Sequence, residues 1–134
     1  MPHPHEAPAV ADSEMLLRRI PSTPNFIVTD EATGGQRPSS GAFAFGADGL
    51  SVYRAVLIPG REPPCDIVAR LLPERPGRSV EFLAAECLVF ALSVEADPTD
   101  QPIVGRAHAL VRRKPGTGRS KAQRQLAGIA RFCA

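Results

Sequence analysis

Tryptophan is absent from this 134-residue chain, tyrosine occurs once and phenylalanine six times. So few rings offer no run of stacking platforms, which weighs against a single-strand nucleic-acid binder. No apolar run approaches the roughly 20 residues that cross a bilayer as a helix, so no membrane association is expected. The start, MPHPHEAPAVADSEMLLRR, lacks a basic stretch followed by an apolar one, and a secretion signal is not expected. Cysteine is scarce and odd in number: Cys65, Cys87 and Cys133, with no CxxC pair. That spacing argues against a disulfide framework or a structural zinc site and for a reducing, cytoplasmic setting. His3 and His5 could hold a metal loosely, but no third ligand accompanies them. Paired carboxylates and a G-x-S-x-G nucleophile elbow are also missing. Neither a metal nor an organic cofactor is expected.

Acidic residues are missing from the last part of the chain. Residues 1–100 hold eight Arg against fourteen Asp or Glu, a net of −6, whereas residues 101–134 hold six Arg, two Lys and no acid, a net of +8. Such a split points to a nucleic-acid or acidic protein partner, or to a basic third lying against the acidic remainder within one fold.

What is abundant is turn chemistry: fourteen Pro and eleven Gly, which predict short elements. Residues 1–13 carry little that could pack and are expected to be disordered, with 14–134 forming a single domain. SEMLLRRIP allows one helical turn, capped by Ser13 and stopped by Pro21. Phe26 to Thr29 is a candidate strand. AFAF and LSVYRAVLI flank the turn GADG and predict a hairpin. PPCDIVARLLP predicts a short helix whose Ile67, Val68, Leu71 and Leu72 make one apolar stripe. SVEFLAAECLVFALSVEADP divides into a strand Val80–Leu83, a helix Ala84–Phe90 and a strand Leu92–Ala96, with one long helix as the alternative. A strand from about Ala107 to Arg112, a loop, and a last amphipathic helix follow. Ile67, Leu71, Phe82, Leu88, Phe90, Val94, Leu110, Leu126 and Ile129 are the expected core.

The loop before that last helix, PGTGRS, is one residue away from the end of a P-loop. A Gly-rich turn entering a helix presents backbone N–H groups and a positive helix end to an anion. The full pattern G-x-x-x-x-G-K-[ST] is not met, because Arg113 stands in place of the first Gly and Arg119 in place of the Lys. An NTPase is therefore not expected. What survives is a basic face for an anion or an acidic partner, built from Arg112, Arg113, Lys114, Gly116, Gly118, Arg119, Ser120, Lys121 and Arg124. The plain alternative is a connecting loop with solvated arginines. A second candidate is RPSS, in which Arg37, Ser39 and Ser40 could cradle a carboxylate or phosphate. His108, the sole His beyond the start, could join Ser39 or Ser40 and an acid as a general base.

LLRRIP, RPSSGAF, GLSVYRA and ADP followed by AHALV, together with a basic last helix, resemble a group of short bacterial proteins over most of residues 16–131. The resemblance implies a single small bacterial domain, an accessory part encoded beside other genes. It transfers no catalytic residue, and PGTGRS lies outside its pattern. The fold expected is α+β: a small mixed or antiparallel sheet of four to six short strands with two or three helices. The function expected is that of a non-catalytic binding protein using its basic C-terminal face. The alternative is a small enzyme acting on a phosphorylated or nucleotide substrate through the Arg37–Ser40 loop and His108.

Overall fold

A computed structural model describes residues 7–75 and 77–133. The expectations for His3 and His5 lie outside these residues. The elements are β1 (Met15–Pro21), β2 (Ile27–Thr29), β3 (Gln36–Pro38), β4 (Leu50–Arg54), α1 (Pro64–Ala69), β5 (Gly77–Leu83), α2 (Ala84–Val89), β6 (Leu92–Ala96), β7 (His108–Arg113), α3 (Arg119–Ile129) and β8 (Arg131–Phe132). Six strands form one antiparallel sheet in the order β6-β7-β4-β1-β5-β8, while β2 and β3 pair separately. This is the α+β architecture that the turn-rich sequence predicts.

The register sorts side chains onto two faces, because successive residues of a strand point to opposite sides. On the first face stand Leu16 and Ile20 of β1, Val80 and Phe82 of β5, Leu50 and Val52 of β4, and Ala109 and Val111 of β7. They are covered by Ala122, Leu126 and Ala127 of α3 and by Phe43 in the 3-10 turn Ser40–Phe43. On the second face Leu17 meets Val68 of α1, together with Ile58, Val104 and Ala107. Helix α1 is short and contacts β1 and β5, so among the described residues the β4-β7-β6 end of this face carries no α-helix.

Several elements differ from the sequence reading. Met15–Pro21 is a strand, not a helical turn, because it is sandwiched between β4 and β5 and pairs with β5 along its whole length. Tertiary pairing overrides the helical preference of Leu-Leu-Arg-Arg. AFAF is not a hairpin strand; its first residues close the 3-10 turn that seats Phe43 in the core. Leu88, placed in the core from its sequence, is exposed on the outer side of α2. Leu72, at the end of the predicted stripe, is exposed as well.

Of residues 1–13, expected to be disordered, 1–6 lie outside the described residues and 7–13 are docked. Val10 packs on the core. The carbonyls of Pro8 and Ala9 accept hydrogen bonds from the Arg54 guanidinium at 2.5 and 3.1 Å, and the Glu14 carboxylate accepts from Nε and Nη2 at 2.7 Å each. The carbonyls of Asp12 and Glu14 receive the first amides of α2, Ala85 and Ala84. The strap thus serves a buried guanidinium on one side and a helix start on the other.

Cys65 and Cys133 form a disulfide, contrary to the expectation of free thiols. Helix α1 and the end of β8 both lie against β5: Ser79 Oγ donates to the Cys65 carbonyl at 2.6 Å and the Cys133 amide donates to the Ser79 carbonyl at 3.1 Å. The bridge joins residues 68 apart, a juxtaposition that cysteine spacing cannot show. It also removes the ground on which a reducing compartment was expected. Among the described residues no helix is long and apolar enough to cross a membrane. Reducing the bridge, or replacing both cysteines by Ser, is expected to lower stability by about 2–4 kcal/mol, read as a drop in Tm with and without reductant. An unchanged Tm would mean that the bridge constrains nothing. Cys87 is buried and its thiol is pushed up to about 12 by that burial, so it stays protonated and inert.

Candidate functional site

Strand β7 begins at His108, whose partner across the ladder on β4 is Tyr53; Ser51 is opposite Leu110. Strand β6 pairs Ala96 with Ala109, and one residue further the Asp97 amide donates to the His108 carbonyl at 3.0 Å. Ser51, His108 and Asp97 therefore converge on the uncovered end of the second face. His108 Nδ1 lies 3.0 Å from Asp97 Oδ2 and 2.9 Å from the Asp97 main-chain oxygen. His108 Nε2 lies 3.1 Å from Ser51 Oγ. Two oxygens at Nδ1 keep the ring proton there, which leaves the Nε2 lone pair to accept the Ser51 hydroxyl hydrogen. The His108 side chain is 12% exposed and the Asp97 side chain 47%, so the base is sheltered while its orienting acid reaches solvent. The Tyr53 ring stands edge-on to the imidazole at 5.5 Å and closes one side.

The serine is held from behind by an arginine. Beyond Leu16 and Leu17 the strands β1 and β4 part, and Arg18 enters the gap. Its Nη1 donates to the Ser51 carbonyl at 2.8 Å and its Nε to the Ala42 carbonyl at 2.9 Å. Burial pushes this guanidinium down to about 10, which still leaves it charged at neutral pH. The β4 backbone at Ser51 is thereby fixed without a full ladder.

Around the three residues lies a shallow cavity of about 490 Å³, walled by the turn Gly46–Gly49, Leu110 and Arg112. Gly49 has φ +127°, and a Cβ there would come within 2.7 Å of the Val111 carbonyl, so only glycine lets this wall approach β7. Arg112 Nε pairs with Glu95 at 3.1 Å, with both side chains about half exposed. Such a surface pair is weak and exchangeable. An imidazole aligned between a hydroxyl and a carboxylate can take the hydroxyl proton and return it, and Arg112 is a nearby cation for developing negative charge.

The RPSS loop does not join this site. Ser39 Oγ donates to the Asn25 carbonyl at 2.8 Å, and Gln123 of α3 donates to the Ser40 carbonyl at 3.2 Å. Pro38 is buried, Arg37 is exposed on β3, and the 3-10 turn that follows packs on the face opposite His108. The grouping of Arg37, Ser39 and Ser40 with His108 is thus corrected: the histidine's serine is Ser51 and its acid is Asp97. Sequence reading missed both, since Ser51 lies 57 residues from His108 and only strand pairing unites them. The available signal was the β6–β7 hairpin, which puts the aspartate of ADP opposite the histidine of AHALV.

The predicted basic face is divided by strand alternation. Arg112 points to the relay's side. Arg113 points to the other, with its Nη1 donating to the Thr117 carbonyl at 3.0 Å and its guanidinium 5.7 Å from the Phe45 ring centre. Lys114, Arg119, Lys121 and Arg124 are exposed, and no carboxylate pairs with them among the described residues. Gly116 makes its turn at φ +90°, Gly118 precedes the first turn of α3 in the capping position, and Ser120 is exposed inside the helix. As for metals, Cys65, Glu81 and Cys133 are the group of potential ligands found together among the described residues, and two of the three are consumed by the disulfide.

Comparison with family models, with curated proteins and with solved structures returned no match, so the functional reading stands on the geometry of the site.

Proposed function

We propose that the chain is a serine-dependent esterase or acyl transferase in which Ser51 is the nucleophile, His108 the general base and Asp97 the group that orients it. The observation that carries this reading is the pair of aligned hydrogen bonds through one imidazole, Ser51 Oγ to Nε2 and Nδ1 to Asp97. In the first step Ser51 Oγ bonds to the substrate carbonyl carbon while its proton passes to Nε2. Collapse of the tetrahedral species breaks the carbon–oxygen bond to the leaving group, which takes the proton from Nε2 and departs as an alcohol. Water, or an acceptor alcohol, then attacks the acyl-serine with His108 again as base, releasing acid or new ester and restoring the serine. Arg112, which lines the cavity, supplies positive charge for the transient oxyanion. The test is reaction with a fluorophosphonate, which esterifies an activated serine and releases fluoride. Wild type should be labelled; Ser51→Ala and His108→Ala should not.

A second reading keeps the surface around the start of α3 as a docking site for a polyanion or acidic protein. What favours it is the cluster of Lys114, Arg119, Lys121 and Arg124, exposed and without carboxylate partners among the described residues. Binding of duplex DNA or RNA should then weaken steeply with salt. Arg119→Glu with Arg124→Glu should flatten the slope of log affinity against log salt by about 2 or more. Binding that ignores both salt and charge reversal would leave these side chains as a solvated surface.

A further inference from the structure

The second face holds three depressions that share walls. The cavity at the relay and a smaller one of about 250 Å³ meet at Ser51. The smaller one and a larger cavity of about 580 Å³ meet at Leu71 and Gln101. Ser51 is thus the junction of a trough whose far part is lined by Ile67, Leu71, Pro102, Ile103 and Val104, together with the charged Arg61, Glu62 and Arg70. A volume of this size is typical of a small-molecule site.

The far wall is built against the preferences of a surface loop. Ile103 is 65% exposed and adopts φ +71°, a conformation that a β-branched side chain rarely takes. Its neighbours hold it there: the Val104 amide donates to the Pro102 carbonyl, the Gly105 amide to the Gln101 carbonyl and the Thr99 amide to the Gly105 carbonyl, at 2.8, 2.9 and 2.9 Å. Gly105 has no room for a side chain, since a Cβ would lie 2.4 Å from the Thr99 carbonyl. A tightly braced loop therefore presents an isoleucine to solvent, and no core cluster among the described residues takes it in.

We infer that the trough holds the apolar acyl chain of the ester that Ser51 attacks, so that the substrates are esters of medium-length fatty or similarly apolar acids. This rests on the reading of Ser51 as nucleophile. A peptide substrate fits less well. Extended peptides are gripped by main-chain pairing with a free strand edge, whereas β4 lies inside the sheet between β1 and β7. Beside Ser51 the smaller depression is lined by Arg18, Arg19 and Gln101 as well as by Tyr53, Leu71 and Leu72, and the mostly apolar lining that suits an acyl chain lies in the far part of the trough.

Three measurements on the full chain test the inference. The first compares kcat/KM for p-nitrophenyl acetate, butyrate and octanoate. Each buried methylene contributes roughly fourfold, and partial burial in an open trough should still raise kcat/KM at least about tenfold from acetate to octanoate. The second repeats the series with Ile103→Asp, an exchange that keeps a residue tolerant of positive φ; the octanoate-to-acetate ratio should collapse toward one. The third titrates Ser51→Ala with octanoate, which should bind through the trough without turnover and lose that binding in the added Ile103→Asp background. A flat chain-length series in a protein that the fluorophosphonate does label would overturn the trough assignment while leaving Ser51 as nucleophile. No labelling and no turnover would remove the nucleophile, and failure of Ser51→Ala to bind octanoate would then remove the trough as well.

Discussion

Arg54→Ala is expected to remove about 3–5 kcal/mol of stability, the cost of breaking a buried ion pair by deleting one partner. Set against a total of roughly 5–15 kcal/mol for a domain of this kind, that loss brings the fold close to its limit. The reason is the number of groups that a single side chain serves. Arg54 is 1% exposed, forms a two-pronged pair with Glu14 and satisfies the carbonyls of Pro8 and Ala9. Its removal leaves a carboxylate and two carbonyls beneath the strap. Arg54→Lys should recover only part, because an ammonium cannot meet four acceptors in the plane of a guanidinium. Urea denaturation of the three proteins reads the effect directly.

The same pair makes the fold sensitive to acid. The hydrogen bond from Arg54 is the largest influence on Glu14 and holds its carboxyl below the ordinary carboxylate value, with the Ala11 amide acting in the same sense against the cost of burial. A carboxyl whose pKa is lowered by folding contributes stability that is complete above the unfolded value. That contribution is lost as pH falls through the lower folded value. Glu14→Gln should therefore be destabilising at neutral pH and should flatten the fall in stability on acidification below about pH 4.5. An acid transition identical in wild type and Glu14→Gln would place the sensitivity elsewhere.

The second large effect is chemical. Ser51→Ala and His108→Ala should each reduce ester turnover by roughly a thousandfold or more, and the double variant should be little worse than either, since members of a relay act as a unit. Asp97→Ala should be milder. Where nothing else holds the imidazole proton, loss of the orienting carboxylate reduces kcat by roughly 10⁴-fold. Here the Asp97 main-chain oxygen also lies 2.9 Å from Nδ1 and remains after truncation. Equal losses for Asp97→Ala and His108→Ala would mean that the carboxylate alone holds the tautomer.

How much of this was legible in the sequence follows the range of the interactions. The run from Val80 to Ala96 divides into strand, helix and strand as its apolar pattern predicts, and Pro64 and the Ala122–Leu126 stripe mark α1 and α3. Those signals are local. The identity of β1, the docking of residues 7–13, the Cys65–Cys133 bridge and the meeting of Ser51 with His108 all depend on pairing between distant segments. Apart from the β6–β7 hairpin, whose strands follow each other along the chain, a single sequence carries little mark of which strands become neighbours. The basic tail shows the same divide: its charge could be counted, but the β7 alternation sends Arg112 to one face and Arg113 to the other. RPSS looked like a cradle because its residue types suit anions, yet the Ser39 hydroxyl and the Ser40 carbonyl are consumed in tying the loop to Asn25 and to Gln123 of α3.

The claim on which the rest turns is that Ser51 is an activated nucleophile. Its most direct test is to treat the protein with a fluorophosphonate ester, measure intact mass, and map the modified peptide. One adduct per chain is expected, on the peptide containing Ser51, and it should be lost in His108→Ala. An unmodified protein, an adduct on Ser39, Ser40 or Ser93, or labelling that persists at the same rate without His108 would contradict the account.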